Sequence, residues 1–217
     1  FDPGSGTALL ISEASNNPFF TPSDIFLAKY DSGGNYLWAK SMGGGENEGV
    51  ISIALDGSGN AYITGTFEDT LDFDPGSGTA NLISNGSNYD IFLAKYDGSG
   101  NYLWVNKIGG PVGDFGSGIA LDGSGSVYIT GFFEDTVDFD LNSGTFNLTT
   151  DNPNGEGFIA RCQDGLFSSI ETLKARHVGI YPNPFTQAFT VELPAGNSAH
   201  QFRLLNVQGN ELLRREN

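Results

Sequence analysis

Apolar side chains along this chain come in short bursts that alternate with polar ones, and no stretch sustains a 3.6-residue apolar rhythm. Asp24 to Tyr30 is an apolar run rich in β-formers and predicts a strand, and Tyr36 to Met42 predicts a second. Val50 to Leu55 alternates strictly, placing Ile51, Ile53 and Leu55 on one face, and Ala61 to Phe67 predicts a fourth strand. Between them lie DSGGN (31–35), a loop from Gly43 to Gly49, and DGSGN (56–60), where Gly and Asn supply backbone angles other residues resist. This spacing predicts four antiparallel strands per unit. Beyond it, Thr70 to Phe73 and Thr79 to Ile83 flank Pro75-Gly76 and predict an extra hairpin projecting from the unit.

The pattern then returns. Asp24–Trp38 recurs as Asp90–Trp104, at an offset of 66 residues, and 32 of the 50 positions from Asp24 to Phe73 are identical in Asp90–Phe139. The units run from about 24 to 89 and from about 90 to 155. The loop before the second copy, Asn85 to Tyr89, is shorter than its counterpart Glu13 to Ser23, as befits a surface loop. Phe1 to Ala8 repeats Phe73 to Ala80, so the N-terminus is read as a cut inside a repeat. A third copy opens at Phe139 and decays: Phe158–Cys162 stands in the places of Phe92–Tyr96, and the repeats end near Phe167. Repeats therefore fill residues 1–167, and 168–177 reads as a linker with room for a turn of helix. From Val178 glycine thins out, and three alternating runs (Phe189–Leu193, His200–Asn206, Glu211–Arg214) predict a partial β-sandwich over 178–217. The expected fold class is all-β: two full four-stranded units and one partial, followed by a partial sandwich. No run approaches the length of a helical membrane span.

Composition narrows the function. The 31 glycines and 12% aromatics suit short strands and tight turns. A net charge of −16 repels phosphate backbones, so nucleic acid is not an expected partner. One cysteine, Cys162, excludes an intramolecular disulfide framework.

The candidate chemistry is acidic. The DGSGN-type loops at Asp31, Asp56, Asp97 and Asp122 place oxygen side chains at alternate positions, as a calcium loop does, but lack its closing bidentate Glu; they serve equally as metal-free hairpin turns. A second set is Glu68, Asp69, Asp72 and Asp74, repeated as Glu134, Asp135, Asp138 and Asp140. Four carboxylates so close repel one another unless solvated or bridged by a hard cation, which makes this the candidate Ca²⁺ site, with a solvated rim as the alternative. Trp38 and Trp104 recur at fixed spacing, fitting either a core position or a sugar-stacking platform. Cys162 reads as a packed thiol, and His177 and His200 stand alone. No phosphate loop, HExxH, GxSxG or CxxC occurs, so no catalytic or cofactor-binding residue is assigned.

Two resemblances add to this reading. The ordered motifs DIFLAKYD, GNYLWAK, GG, IALDGSGNAYITG and TF resemble the bacterial β-propeller repeat family known by the initials SBBP, over about residues 1–165. That resemblance implies four-stranded blades round a central axis. The FDFDPGSGT insert resembles a variant in long repeat proteins of Bacteroidetes-type bacteria. IYPNPF (180–185) and FRLLNVQGNELL (202–213) resemble the first part of the type A C-terminal sorting domain of the type IX secretion system. This implies an Ig-like sandwich, passage through outer-membrane secretion machinery, and a destination outside the cell or on its surface. Asp69-Thr70-Leu71 and Asp135-Thr136-Val137 fit the acceptor pattern such bacteria use for O-glycosylation, which would place glycans on Thr70 and Thr136. The expected function is a non-enzymatic exported scaffold, adhesin or binding module. The alternatives are a polysaccharide-binding or polysaccharide-degrading accessory domain, and a subunit whose copies assemble into an extracellular filament or sheath.

Overall fold

The structure is a computed structural model that describes residues 1–4, 6–12, 22–86, 88–140, 145–163, 166–173, 180–181, 190–191, 202–205 and 211–215, the last five segments by backbone alone. Among the described residues every regular element is a strand, so the chain is all-β as expected. The first half holds β1 (Ile25–Tyr30), β2 (Tyr36–Met42), β3 (Glu48–Leu55), β4 (Ala61–Phe67), β5 (Thr70–Asp72), β6 (Asn81–Ile83), β7 (Asp90–Tyr96) and β8 (Tyr102–Ile108). The second half follows with β9 (Phe115–Leu121), β10 (Val127–Phe133), β11 (Thr136–Asp138), β12 (Asn147–Thr149), β13 (Glu156–Gln163) and β14 (Leu166–Leu173).

Two four-stranded antiparallel sheets form the body, ordered β3-β4-β7-β8 and β9-β10-β13-β14. Their central pairs keep one register: Ala61↔Tyr96 to Phe67↔Asp90 in the first sheet, Val127↔Cys162 to Phe133↔Glu156 in the second. These partners are all related by the 66-residue offset. β1 and β2 pair with each other ahead of the first sheet.

The central strands are apolar on both faces, and that dictates the packing. Ala61, Ile63 and Phe67 of β4 join Phe92, Ala94 and Tyr96 of β7 in a core closed by Ile25, Leu27 and Met42 of β1 and β2. Tyr62, Ile91, Leu93 and Ile108 point the other way, into a core with Val127, Ile129, Phe133, Phe158, Ala160 and Cys162 of the second sheet. Period-two alternation thus builds two cores from one sheet, and each copy lies face to face with the next.

The sheets do not divide the chain where the sequence period does. A single sheet takes β3–β4 from one period and β7–β8 from the following one. The expected extra hairpin exists as β5–β6, and again as β11–β12. It connects the two halves of a sheet and seals the end of its core, since Leu71 and Phe73 are fully buried and Phe73 packs against Phe67 and Phe92 at centroid distances of 5.6 and 4.9 Å. A bridge between Gly109 and Asp138 ties the end of β8 to the hairpin of the next unit.

Residues expected to open a linker at 168 are strand instead: β14 pairs with β13 from Gly157↔Leu173 to Gln163↔Leu166 and completes the second sheet. An apolar edge left open on β13 is better satisfied by one more strand than by a charged linker. Farther on, β15 (Ile180–Tyr181) pairs with β16 (Thr190–Val191), and β17 (Phe202–Leu205) with β18 (Glu211–Arg215). Residues 13–21, 182–189, His177 and His200 lie outside the described residues. So do the side chains on which the sandwich expectation depends.

Candidate functional site

Four hairpin turns repeat one design. In each, the Asp N–H donates to the carbonyl four residues on, and the Gly three residues on donates back to the Asp carbonyl. That Gly lies at φ between 77° and 84° in all four (Gly34, Gly59, Gly100, Gly125), where a β-carbon is strained. The carboxylates cap the turns from within. Asp97 Oδ1 accepts from Ser99 N at 2.7 Å and Asn101 N at 3.0 Å, and its Oδ2 accepts from Asn101 Nδ2 at 2.9 Å. Asp31 and Asp56 repeat this with Gly33, Asn35, Ser58 and Asn60, while Asp122 takes the Ser124 hydroxyl at 2.6 Å. Hydrogen bonding holds these carboxyls below their ordinary range: Asn101 for Asp97, Asn35 for Asp31, and the Ser124 hydroxyl for Asp122, which is lowered to about 2.

The expected cation cluster is spread along the β5–β6 and β11–β12 hairpins. Asp72 Oδ1 accepts from Asp74 N at 3.0 Å and Ala80 N at 2.8 Å, and Asp138 Oδ1 from Asp140 N and Phe146 N, both at 2.9 Å. Asp74 Oδ1 accepts from Gly76 N at 2.8 Å. Asp69 and Asp135 adopt φ of 57° and 55°, a left-handed conformation that Asp tolerates better than most residues. Asp69 is fixed by an exchange with Ser84, donating N–H to its hydroxyl at 2.8 Å and accepting from its N–H at 2.9 Å. Glu68 has its carboxyl raised by burial, with Glu46 and Asp69 adding repulsion. Glu134 enters through its backbone N–H, described below. Among the described residues no three carboxylate, His or Cys groups gather where one metal ion would touch them all.

The structure also brings together two carboxylates that the sequence reading passed over. Asp90 and Asp114 are fully buried. Asp114 Oδ2 accepts from Gly110 N at 2.7 Å and its Oδ1 from Glu134 N at 3.1 Å, so one side chain pins the loop after β8 to the start of the next hairpin. Burial pushes its carboxyl up to about 6, against the two amides that favour the charge. Asp90 Oδ2 accepts from Asn85 N at 2.9 Å and faces Lys107 Nζ at 3.1 Å. Lys107 also donates to Ile83 O at 2.9 Å and Asn85 Oδ1 at 2.8 Å, and Asn85 Nδ2 donates to Gly109 O at 2.9 Å. The Asp90 carboxylate lies so close to Gly109 that a β-carbon there would collide with it. A faint signal did exist. From 45 to 52 and from 111 to 118 the copies share no identical residue, yet Glu48 and Asp114 keep a carboxylate at the same place.

An open cleft of about 580 Å³ lies beside this joint, lined by Asn85, Gly109, Pro111, Thr136, Asp138 and Asn147. Trp38 and Trp104 are half-buried and pack on the two cores, Trp104 edge-on to Tyr62 at 6.0 Å. Thr70 is exposed and Thr136 partly so, each hydroxyl within 3.3 Å of the preceding Asp carboxylate. Cys162 is buried in a core, and burial pushes its thiol up to about 12. No described helix is long and apolar enough to cross a membrane.

Comparison with known proteins finds two partial likenesses. The chain is 28% identical over 207 residues to an uncharacterized WD repeat-containing protein of Acanthamoeba polyphaga mimivirus, covering 85% of this chain and 14% of that protein. It is 29% identical over 120 residues to the regulatory protein FlaEY of Caulobacter vibrioides, covering 55% of this chain and 12% of that protein. No family model matches. The chain thus spans about a seventh or less of the length of either relative.

Proposed function

We propose that this chain is a non-catalytic scaffold or binding segment of a repeat protein, built from propeller-type blades and exported to the cell surface or medium. One observation carries the reading: the acidic groups best suited to chemistry are spent on holding the fold. The turn aspartates cap backbone amides, and Asp114 pins one unit to the next with both oxygens. A similarity to a WD repeat-containing protein supports a repeat scaffold. Export rests on the IYPNPF and FRLLNVQGNELL resemblance. Fusing residues 178–217 to a reporter in a bacterium with a type IX system tests it: the reporter is expected in the medium, and retention in the periplasm rejects that route.

The cleft beside Asn85 favours a second reading, in which the segment binds an extended polar polymer such as a polysaccharide. Affinity electrophoresis through gels containing soluble polysaccharides decides between them. Retardation that Asn147→Ala abolishes supports binding, and unchanged mobility across a panel of neutral and acidic glycans leaves the scaffold reading alone.

A further inference from the structure

Asn85, Asp90 and Lys107 meet at one end of the first sheet, and the repeat does not explain the meeting. Asn85 lies in the loop that is shorter than its earlier counterpart, and the first copy has Ser41 where the second has Lys107. Lys107 Nζ lies 2.8 Å from Asn85 Oδ1 and 3.1 Å from Asp90 Oδ2. The Asn85 amide is also held at its other end, where Nδ2 donates to Gly109 O at 2.9 Å. Asp90 Oδ1 has no hydrogen-bond partner among the described residues. Little water reaches the group: the Asp90 side chain is 0% exposed and that of Lys107 25%.

An amine, a primary amide of fixed orientation and a proton acceptor are thus in contact, which is what amide transfer needs. Groups held together in this way react without the entropic cost of an encounter. A lysine becomes a nucleophile once it gives up its proton, and poor solvation of an ammonium–carboxylate pair favours that transfer. Burial raises the Asp90 carboxyl even with Lys107 beside it, so Asp90 is suited to receive the proton.

We propose that Lys107 and Asn85 join in an intramolecular isopeptide bond, with Asp90 as the proton carrier. Asp90 Oδ2 takes a proton from Lys107 Nζ, and the freed electron pair attacks Asn85 Cγ, one bond beyond Oδ1. The Cγ–Nζ bond forms and the Cγ–Nδ2 bond breaks. Two of the three ammonium protons pass through Asp90 to Nδ2, which leaves as ammonium, and the third remains on the new amide nitrogen. Asp90 ends as it began, and no oxidant or other reactant enters. The product is a covalent ring from Asn85 to Lys107. It fastens β8, the edge strand of the first sheet, to the chain leaving β6, so that fraying there meets a covalent link in place of an ion pair. The proposal holds whether or not the segment is exported or binds a ligand.

Intact-mass measurement and peptide mapping of the purified 217-residue chain test it. The mass is expected to fall short of the sequence mass by one ammonia. Trypsin is expected to leave residues 41–95 joined to 96–161, because a lysine in amide linkage is not cut. Lys107→Ser, which installs the residue of the first copy, is expected to restore the full mass and release both peptides. Asp90→Asn, compared in a form that melts like the parent, is expected to lose the link, and survival of the link there overturns the assigned proton carrier. A full sequence mass after prolonged incubation at neutral pH means an ion pair only and overturns the proposal. A loss of ammonia that persists in Lys107→Ser comes from closure of Asn85 onto the Gly86 nitrogen and overturns it as well.

Discussion

Gly59 and Gly57 sit two residues apart in one turn, and their substitution is expected to give opposite results. A β-carbon at either meets nothing within 4 Å, but Gly59 lies at φ 81°. Gly59→Ala is therefore expected to destabilise by about 1–2 kcal/mol through backbone strain alone, and Gly57→Ala to be close to neutral, in denaturant titrations. Acid–base balance is settled at the same scale. Asp114 has its carboxyl raised to about 6, and Asp90 is also raised by burial. For Asp114, stability is full where the group is protonated in both states and is lost as pH rises from about 4 through about 6, each unit of difference being worth about 1.4 kcal/mol, and Asp90 acts in the same direction. The lowered turn aspartates act oppositely, contributing above about pH 4 and losing their effect as pH falls. Melting temperature is thus expected to peak between about pH 4 and 6, and Asp114→Asn to flatten its decline toward pH 7.

The element that repays closest inspection is the β5–β6 hairpin. It looks like decoration, an acidic insert between strands of a sheet, yet it delivers Leu71 and Phe73 fully buried into the core. Phe73→Ala is expected to cost about 3–5 kcal/mol, while Leu37→Ala, on a half-exposed strand position, is expected to stay within about 0.5 kcal/mol. Chemical denaturation of the two variants checks both. The carboxylates that ring the hairpin are organised around its backbone amides. Melting in excess calcium and in chelator tests the cation site at Glu68, Asp69, Asp72 and Asp74 and their copies Glu134, Asp135, Asp138 and Asp140: with Asp72 and Asp138 already accepting from backbone amides the same midpoint is expected, and a clear rise with calcium supports the site.

For the molecule as a whole, two facts pull against each other. The first sheet is apolar on both faces and is covered on both by neighbouring strands, while a net charge of −16 drives the chain apart. Lysines mitigate this locally: Lys29 Nζ donates across to Gly98 O at 2.7 Å, and Lys95 lies over Tyr62 at 4.6 Å. Raising salt from low ionic strength to about 0.15 M, where charges beyond roughly 8 Å are screened, is expected to raise the melting temperature. A fall would mean that the ion pairs, such as Lys107 with Asp90, outweigh the general repulsion.

Strands, turns and the extra hairpin were legible in the residues alone, because each depends on near neighbours: alternation selects a strand, and Gly59 or Gly100 selects a turn. The need for stacked copies was legible too, since DIFLAKY and AYITGTF are apolar on both faces. The frame was not. A 66-residue period reads the same from any starting point, so the sequence could not say that β3–β4 joins β7–β8. Nor could it mark Glu48, Asp90 and Asp114 as buried acids among 26 acidic residues, for burial depends on which strands meet in space. Local chemistry chose the pieces; pairing between distant segments, which the tertiary structure alone decides, chose the cuts between units.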